Sequence, residues 1–189
     1  PLIDLDELAD FAETMSDKRG GAAFLRAAQQ VTGLTASPFE AQASMLLSLP
    51  RSRGGEGLTG LANNQRIALS REATRLSGKT TCYADILFEG GTSAPLIVEC
   101  QGKSAHANAA AVMSDSDRTT ALQHMGYDVI LLTYSQIAQQ SQFRIVKKLI
   151  ASKLGISLRD KTPRLKKAEN ELRRDLFIDW NALGSCNKC

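Results

Sequence analysis

Two acids set in strand-like segments are the residues of this chain best suited to chemistry. Asp85 lies inside Tyr83-Ala84-Asp85-Ile86-Leu87-Phe88, and Glu99 and Gln101 end Ile97-Val98-Glu99-Cys100-Gln101-Gly102. Strand alternation places Glu99 and Gln101 on one face and Cys100 on the other. If the two segments pair as a hairpin about Glu89-Gly90-Gly91-Thr92, Asp85 falls near Glu99. Carboxylates so placed repel one another unless a cation sits between them. Two hard oxygen ligands, a carbonyl and waters suit Mg²⁺ or Mn²⁺, and such an ion can activate the water that hydrolyses a phosphodiester. Acids on the solvent face of two strands, holding nothing, would show the same spacing.

The elements around these residues follow from periodicity. Leu5, Leu8, Phe11, Ala12 and Met15 recur at helical intervals, and a second helix is expected from Ala22 to Val31. Ser37-Pro38-Phe39-Glu40 reads as an N-cap, an N1 proline and an N3 glutamate opening a helix that runs to Leu49. Arg51 to Gly60 is rich in Gly and Arg and reads as a mobile loop whose Arg51 and Arg53 suit phosphate contacts. Strands are expected at Arg66–Leu69, Thr81–Phe88, Leu96–Gln101 and Tyr127–Thr133, with helices at Ser114–Met125, Gln142–Leu154 and from Thr162-Pro163 onward. The fold class is therefore α/β, a mixed β-sheet core flanked by helices. It divides into an N-terminal helical extension (1–34), a core domain (35–155), and a basic C-terminal helix and tail (156–189).

Charge sharpens the choice of partner. The 189 residues carry 23 basic and 20 acidic side chains, a formal +3. From Arg144 to Asp175, however, eleven basic residues face only four acidic ones, while acids crowd the first seventeen positions. That asymmetry suits DNA as partner, with Lys147 and Lys148 among the backbone contacts, although a solvated helix face has the same composition. Hydrophobic residues at 43% and charged residues at 23% exclude disordered and fibrous classes. No apolar run is long enough for a membrane span, and nothing in the opening residues reads as a signal peptide, so a cytoplasmic location is expected. Pro1 in place of an initiator Met reads as a fragment or a processed chain. Cys82 and Cys100 read as buried thiols, and Cys186 and Cys189 as a terminal C-x-x-C without a partner pair at zinc spacing. Aromatic residues at 5% give no stacking platform for single strands.

The stretch from Ala84 to Ile137 resembles the PD-(D/E)xK, restriction-endonuclease-like superfamily. Within it, the likeness is to the bacterial branch related to very-short-patch-repair endonucleases. The ordered series carries the resemblance: Asp85, Glu99-Cys100-Gln101-Gly102, His106, Asp115-Ser116-Asp117-Arg118, and Leu122 through Gly126-Tyr127-Asp128-Val129. The upstream Ser37–Glu40 helix start and the Leu49–Gly55 loop are similar too, so the likeness spans most of Thr35–Leu154. A related domain ends some AbiE-type antitoxins. The resemblance implies a restriction-endonuclease-like fold, with Asp85 and Glu99 as metal ligands and Glu40 as a further helix-borne acid. Gln101 would stand where the superfamily places its catalytic Lys. Gln carries no charge and cannot protonate a leaving group, though it can orient a water. Lys103 is the cation close enough in sequence to replace that Lys. His106 lies one residue further from Gly102 than the branch pattern, near the scissile phosphate or as a loop histidine. Arg118, at an expected helix start, would bind phosphate or pair with Asp115 or Asp117.

Two functions follow as expectations. One is an Mg²⁺- or Mn²⁺-dependent DNA endonuclease acting in DNA repair or phage defence. The other is a catalytically inactive DNA- or protein-binding module of an antitoxin or regulatory protein, which Gln101 favours and the paired acids do not.

Overall fold

The computed structural model describes residues 4–90, 94–102 and 109–178, those from 109 to 115 through their backbone only. Eight α-helices and four strands are described: α1 (Leu5–Thr14), α2 (Gly21–Ala28), α3 (Pro38–Ser48), β1 (Leu61–Ala68), α4 (Arg71–Ser77), β2 (Thr81–Phe88), β3 (Leu96–Gln101), α5 (Ala109–His124), β4 (Asp128–Thr133), α6 (Tyr134–Ala138), α7 (Gln140–Lys153) and α8 (Pro163–Leu176). The chain forms two compact units, residues 1–34 and 35–189. In the first, Asp4 and Glu7 cap α1 reciprocally, and Phe11 meets Phe24 of α2 edge to face at 5.9 Å.

The second unit is built on one sheet of order β1-β2-β3-β4. β1, β2 and β3 are antiparallel neighbours, and α5 carries the chain across to β4, which lies parallel to β3 from Leu96↔Asp128 to Gln101↔Thr133. This is the α/β class expected, with helices packed on a mixed sheet. One face of the sheet forms the larger core, where Ile86, Phe88, Leu96, Val98 and Leu132 meet Phe39, Leu46 and Leu47 of α3 and Phe143, Val146 and Ile150 of α7. The opposite face gathers Ile67, Cys82, Ala84, Leu87 and Ile97 under Leu122 of α5. No described helix is long and apolar enough to cross a membrane.

Strand alternation is not kept throughout. Cys82 and Ala84 belong to the α5 face, yet Ile86 and Phe88 belong to the α3 face. A strict period of two would have kept all four together. β1 makes the matching switch, with Leu61 on the α3 face and Ile67 on the other. The two strands keep one register from Leu61↔Phe88 to Ala68↔Thr81, with Asn64 and Asp85 missing from the pairs. Asn64 has φ 50°, the one non-glycine at positive φ among the described residues. Asn tolerates this left-handed region better than most residues do. The ribbon therefore turns over at Asp85.

Two expectations are corrected here. Arg51–Gly60 is not open loop throughout. Arg51–Arg53 is a turn of 3₁₀ helix, and Gly54, Gly55 and Glu56 are buried. Glycine is required at both positions by close approach: a Cβ on Gly54 would stand 2.4 Å from the Ala168 carbonyl oxygen of α8, and one on Gly55 2.1 Å from that of Leu49 at the end of α3. The C-terminal helix is likewise no appendage. Leu172, Leu176 and Phe177 pack on the larger core, and buried Arg173 donates to the carbonyls of Ile137 and Ala138 at 2.6 and 2.7 Å. Two short helices, α4 and α6, lay outside the sequence pattern, because seven and five residues give too few turns for a periodic apolar stripe.

Gly54→Ala is expected to cost about 2–4 kcal/mol, combining left-handed strain with overpacking against α8. Gly60→Ala has comparable φ but open space around the new methyl and should cost about 1 kcal/mol. Urea unfolding of both variants, compared at constant slope, measures the difference.

Candidate functional site

β2 and β3 pair over Phe88↔Leu96, Leu87↔Ile97 and Ile86↔Val98. One step further the register would set Asp85 opposite Glu99. There, instead of a carbonyl of β2, the Asp85 Oδ2 accepts the main-chain N–H of Cys100 at 2.8 Å. The main-chain carbonyl of Asp85 is turned the other way and accepts from the Asn63 side-chain amide at 3.2 Å. Asn63 is in turn anchored by the Ser44 hydroxyl of α3 at 2.9 Å. The face switch in β1 and β2 thus presents the Asp85 carboxylate at the parting of two strands.

Asp85 lies within electrostatic reach of groups from both layers. Burial pushes its carboxyl above the usual aspartate range; the Cys100 N–H and Arg118 pull it down, and the Glu40 carboxylate pushes it further up. The Cys100 thiol is pushed far up, chiefly by burial and then by Asp85, Glu40 and Glu99 in that order. Three acids distant in sequence thus share the neighbourhood of one residue.

Glu40 is held by the cap of α3. Ser37 Oγ accepts from the Glu40 N–H at 3.2 Å and donates to Glu40 Oε1 at 2.8 Å, while Oε2 accepts from the Ala36 N–H at 2.7 Å. Both functions foreseen for Glu40, helix cap and acid of the site, are therefore open to the same side chain. Beside it a cleft of about 570 Å³ is lined by Phe39, Glu40, Cys100, Gly102 and Tyr134, among others.

Glu99 is buried and faces α5. Arg118 Nη2 donates to both of its carboxylate oxygens at 2.8 Å, and the same nitrogen donates to the Tyr83 carbonyl. Arg118 does not begin a helix as expected; it lies well inside α5, which starts at Ala109, and it pairs with Glu99. Gln101 ends β3, half-buried, opposite Thr133. Lys103 and His106 lie outside the described residues, as do Cys186 and Cys189. Cys82 is a buried thiol and Cys100 a partly buried one.

The donor chemistry suits a hard cation: Asp85, Glu40 and Glu99 offer carboxylate oxygens, and Mg²⁺ needs only one or two of them with waters. The arrangement is less ready than its composition, for Glu99 is already neutralised by Arg118. Among the described residues, no group of three or more His, Cys, Asp or Glu side chains is placed to hold a metal ion.

The remaining cations fall into two sets. Arg51 donates to the carbonyls of Arg159 and Asp160 at 2.7 and 3.1 Å, tying the 3₁₀ turn to the segment before α8. Lys147 donates to Glu56 at 2.8 Å and lies over the Phe143 ring. Arg53 and Lys148 are exposed. Sequence reading passed over Glu56, Lys161 and Glu169, which form a buried network: Lys161, only 5% exposed in its side chain, reaches Glu56 at 2.8 Å and Glu169 at 3.1 Å. No local signal marks such a network, since its partners stand 105 positions apart.

Two measurements probe the site. A carboxyl whose folded-state pKa is raised above the ordinary 3.8 holds its proton more tightly folded than unfolded, so its ionisation opposes folding as pH rises. Asp85→Asn keeps an acceptor for the Cys100 N–H; in EDTA it should melt above wild type at pH 7, with the gap closing below pH ~4. Arg118→Met strands a buried carboxylate and should cost about 3 kcal/mol, most of which the double variant Glu99→Gln/Arg118→Met recovers. Urea titration of the two single variants and the pair checks it.

Set beside protein-family models, curated proteins and solved structures, the chain matches none of them.

Proposed function

We propose that this chain is a metal-dependent DNA endonuclease of restriction-endonuclease-like build, acting on cytoplasmic DNA in repair or phage defence. The observation that carries the reading is the Asp85 carboxylate at the parting of β2 and β3, with Glu40 arriving from α3 and Glu99 one residue from its Cys100 anchor. A four-stranded mixed sheet with a helical crossover between β3 and β4 supports the same reading. Mg²⁺ or Mn²⁺, when bound, would supply the activated water and the charge stabilisation of phosphodiester hydrolysis. Asp85 would hold it, and Glu99 would join by exchanging Arg118 for the ion. Gln101 would orient that water through its amide. Arg118, released toward the strand, and the exposed Arg53 and Lys148 meet the phosphate backbone, while Arg51 and Lys147 hold the framework that presents them.

A second reading has its own support. Arg118 covers both carboxylate oxygens of Glu99 through Nη2, and Gln101 brings no positive charge, as befits a DNA- or protein-binding module that has lost hydrolysis.

Incubating supercoiled plasmid with the protein and Mg²⁺ or Mn²⁺ separates the two. The nuclease reading expects nicking or linearisation, reduced at least ~100-fold in Asp85→Asn, on the scale set by loss of a metal-held nucleophile. DNA that is retarded on a gel but never cut, with either ion, selects the binding module.

A further inference from the structure

Away from Asp85, the basic stretch that spans α7, the segment 155–162 and α8 has a definite shape. A cavity of about 500 Å³ opens between α7 and α8, and six cations and three acids are among its lining residues. That volume is in the range of ligand-holding clefts. Its charges are sorted by depth. At the floor, Glu56 takes Lys147 and Lys161, and Lys161 also takes Glu169. Those two acids are therefore neutralised from within.

At the mouth stand Arg144, Lys148, Arg159 and Lys166, all exposed, and no ion pair is described for any of their side chains. Of the lining acids only Asp160 remains to oppose them, so the opening carries a net positive charge. An adjoining depression of about 540 Å³ shares Lys166 and Asn170 with the first and adds Lys167, Glu171 and Arg174, with Lys167 loosely paired to Glu171 and Arg174 to Asp175, all at exposed positions. Together the two make a basic track across α7 and along α8 that ends in exposed side chains.

Four like charges held around one opening repel each other, and no stabilising role within the fold accounts for them. These four exposed cations, for which no ion pair is described, fit a ligand that brings several negative charges at regular spacing. The absence of aromatic side chains from both linings points to phosphates rather than bases.

We propose that this track, which begins at Lys148 and lies outside the Asp85 cleft, is a nucleic-acid site that takes consecutive phosphates of a DNA backbone without reading sequence. It deepens the nuclease reading by naming where flanking DNA is held, yet its test does not depend on hydrolysis.

The test measures binding of a 20-base-pair duplex to the 189-residue chain in EDTA across a salt series, with inorganic tripolyphosphate as the free-phosphate arm. Arg144→Glu/Lys148→Glu alters two exposed side chains and should melt as wild type does. Its duplex affinity should fall by ~10-fold or more, and the slope of log K against log salt should shrink by about 2. Arg144→Gln/Lys148→Gln should act in the same direction with smaller amplitude, and Arg75→Glu on α4 should leave affinity and slope near wild type.

Loss of duplex binding in the charge variants supports the proposal, whether or not the plasmid is ever cut. Binding of tripolyphosphate but not duplex, lost in the same variants, overturns the nucleic-acid assignment in favour of a free polyphosphate. Unchanged duplex binding in the charge-reversed variant overturns the site altogether, even if Mg²⁺-dependent cutting is seen.

Discussion

A side-chain oxygen stands where the sheet would otherwise use a main-chain one, and the architecture of the candidate site follows from that substitution. By accepting the Cys100 N–H, the Asp85 carboxylate closes the β2–β3 contact after three residue pairs. β3 is then free to continue alone beside β4. The carboxylate can reach that position because β1 and β2 exchange faces together, with Asn64 in the left-handed region. A regular hairpin would have put Asp85 on one face with Glu99 and left no room between strands. The turned ribbon instead sets it at a seam, in electrostatic contact with α3 on one side and α5 on the other.

Each layer answers the seam differently. On the α3 side, Glu40 adds negative charge, fixed in place by its own helix cap. On the α5 side, Arg118 cancels it. An acid held between an added acid and a removable base can change its charge environment by moving one long side chain, without any strand shifting. Arg118 is attached through three acceptor atoms on two strands, so its displacement would be felt on β2 and β3 together. This also explains why the two functional readings diverge at the same pair of residues.

Three of the four strands and most helices were legible in the sequence because each rests on local rules, whereas the strand expected at Arg66–Leu69 met only the last three residues of β1. β3 follows from an apolar run, α3 from Ser37-Pro38-Phe39-Glu40, and α8 from Thr162-Pro163. Even the convergence of Asp85 and Glu99 on neighbouring strands could be anticipated from the turn between them. What escaped was set by contacts between distant segments. Nothing near Asn64 announces a face switch, because the switch is decided by which core Cys82 and Ile86 join. The Arg-Gly-Gly segment shows the same difficulty: composition alone suggests mobility, whereas Gly54 lets α8 approach and Gly55 lets the segment close on Leu49. Charge was misread for a related reason. Lys147 and Lys148 are adjacent in sequence, yet one holds a buried glutamate and the other is exposed, a distinction fixed by the rotation of α7 over Glu56.

That buried glutamate has a bearing on how the chain is made. Glu56 emerges from the ribosome about a hundred residues before Lys161, and Gly54 waits equally long for Ala168 and Leu172. Until then the larger core lacks one wall and holds an acid with only Lys147 to answer it. Domains with such long-range closure fold late and slowly. The second unit is therefore expected to reach its native packing only after α8 has left the exit tunnel, and the basic track, which α8 lines, forms no earlier.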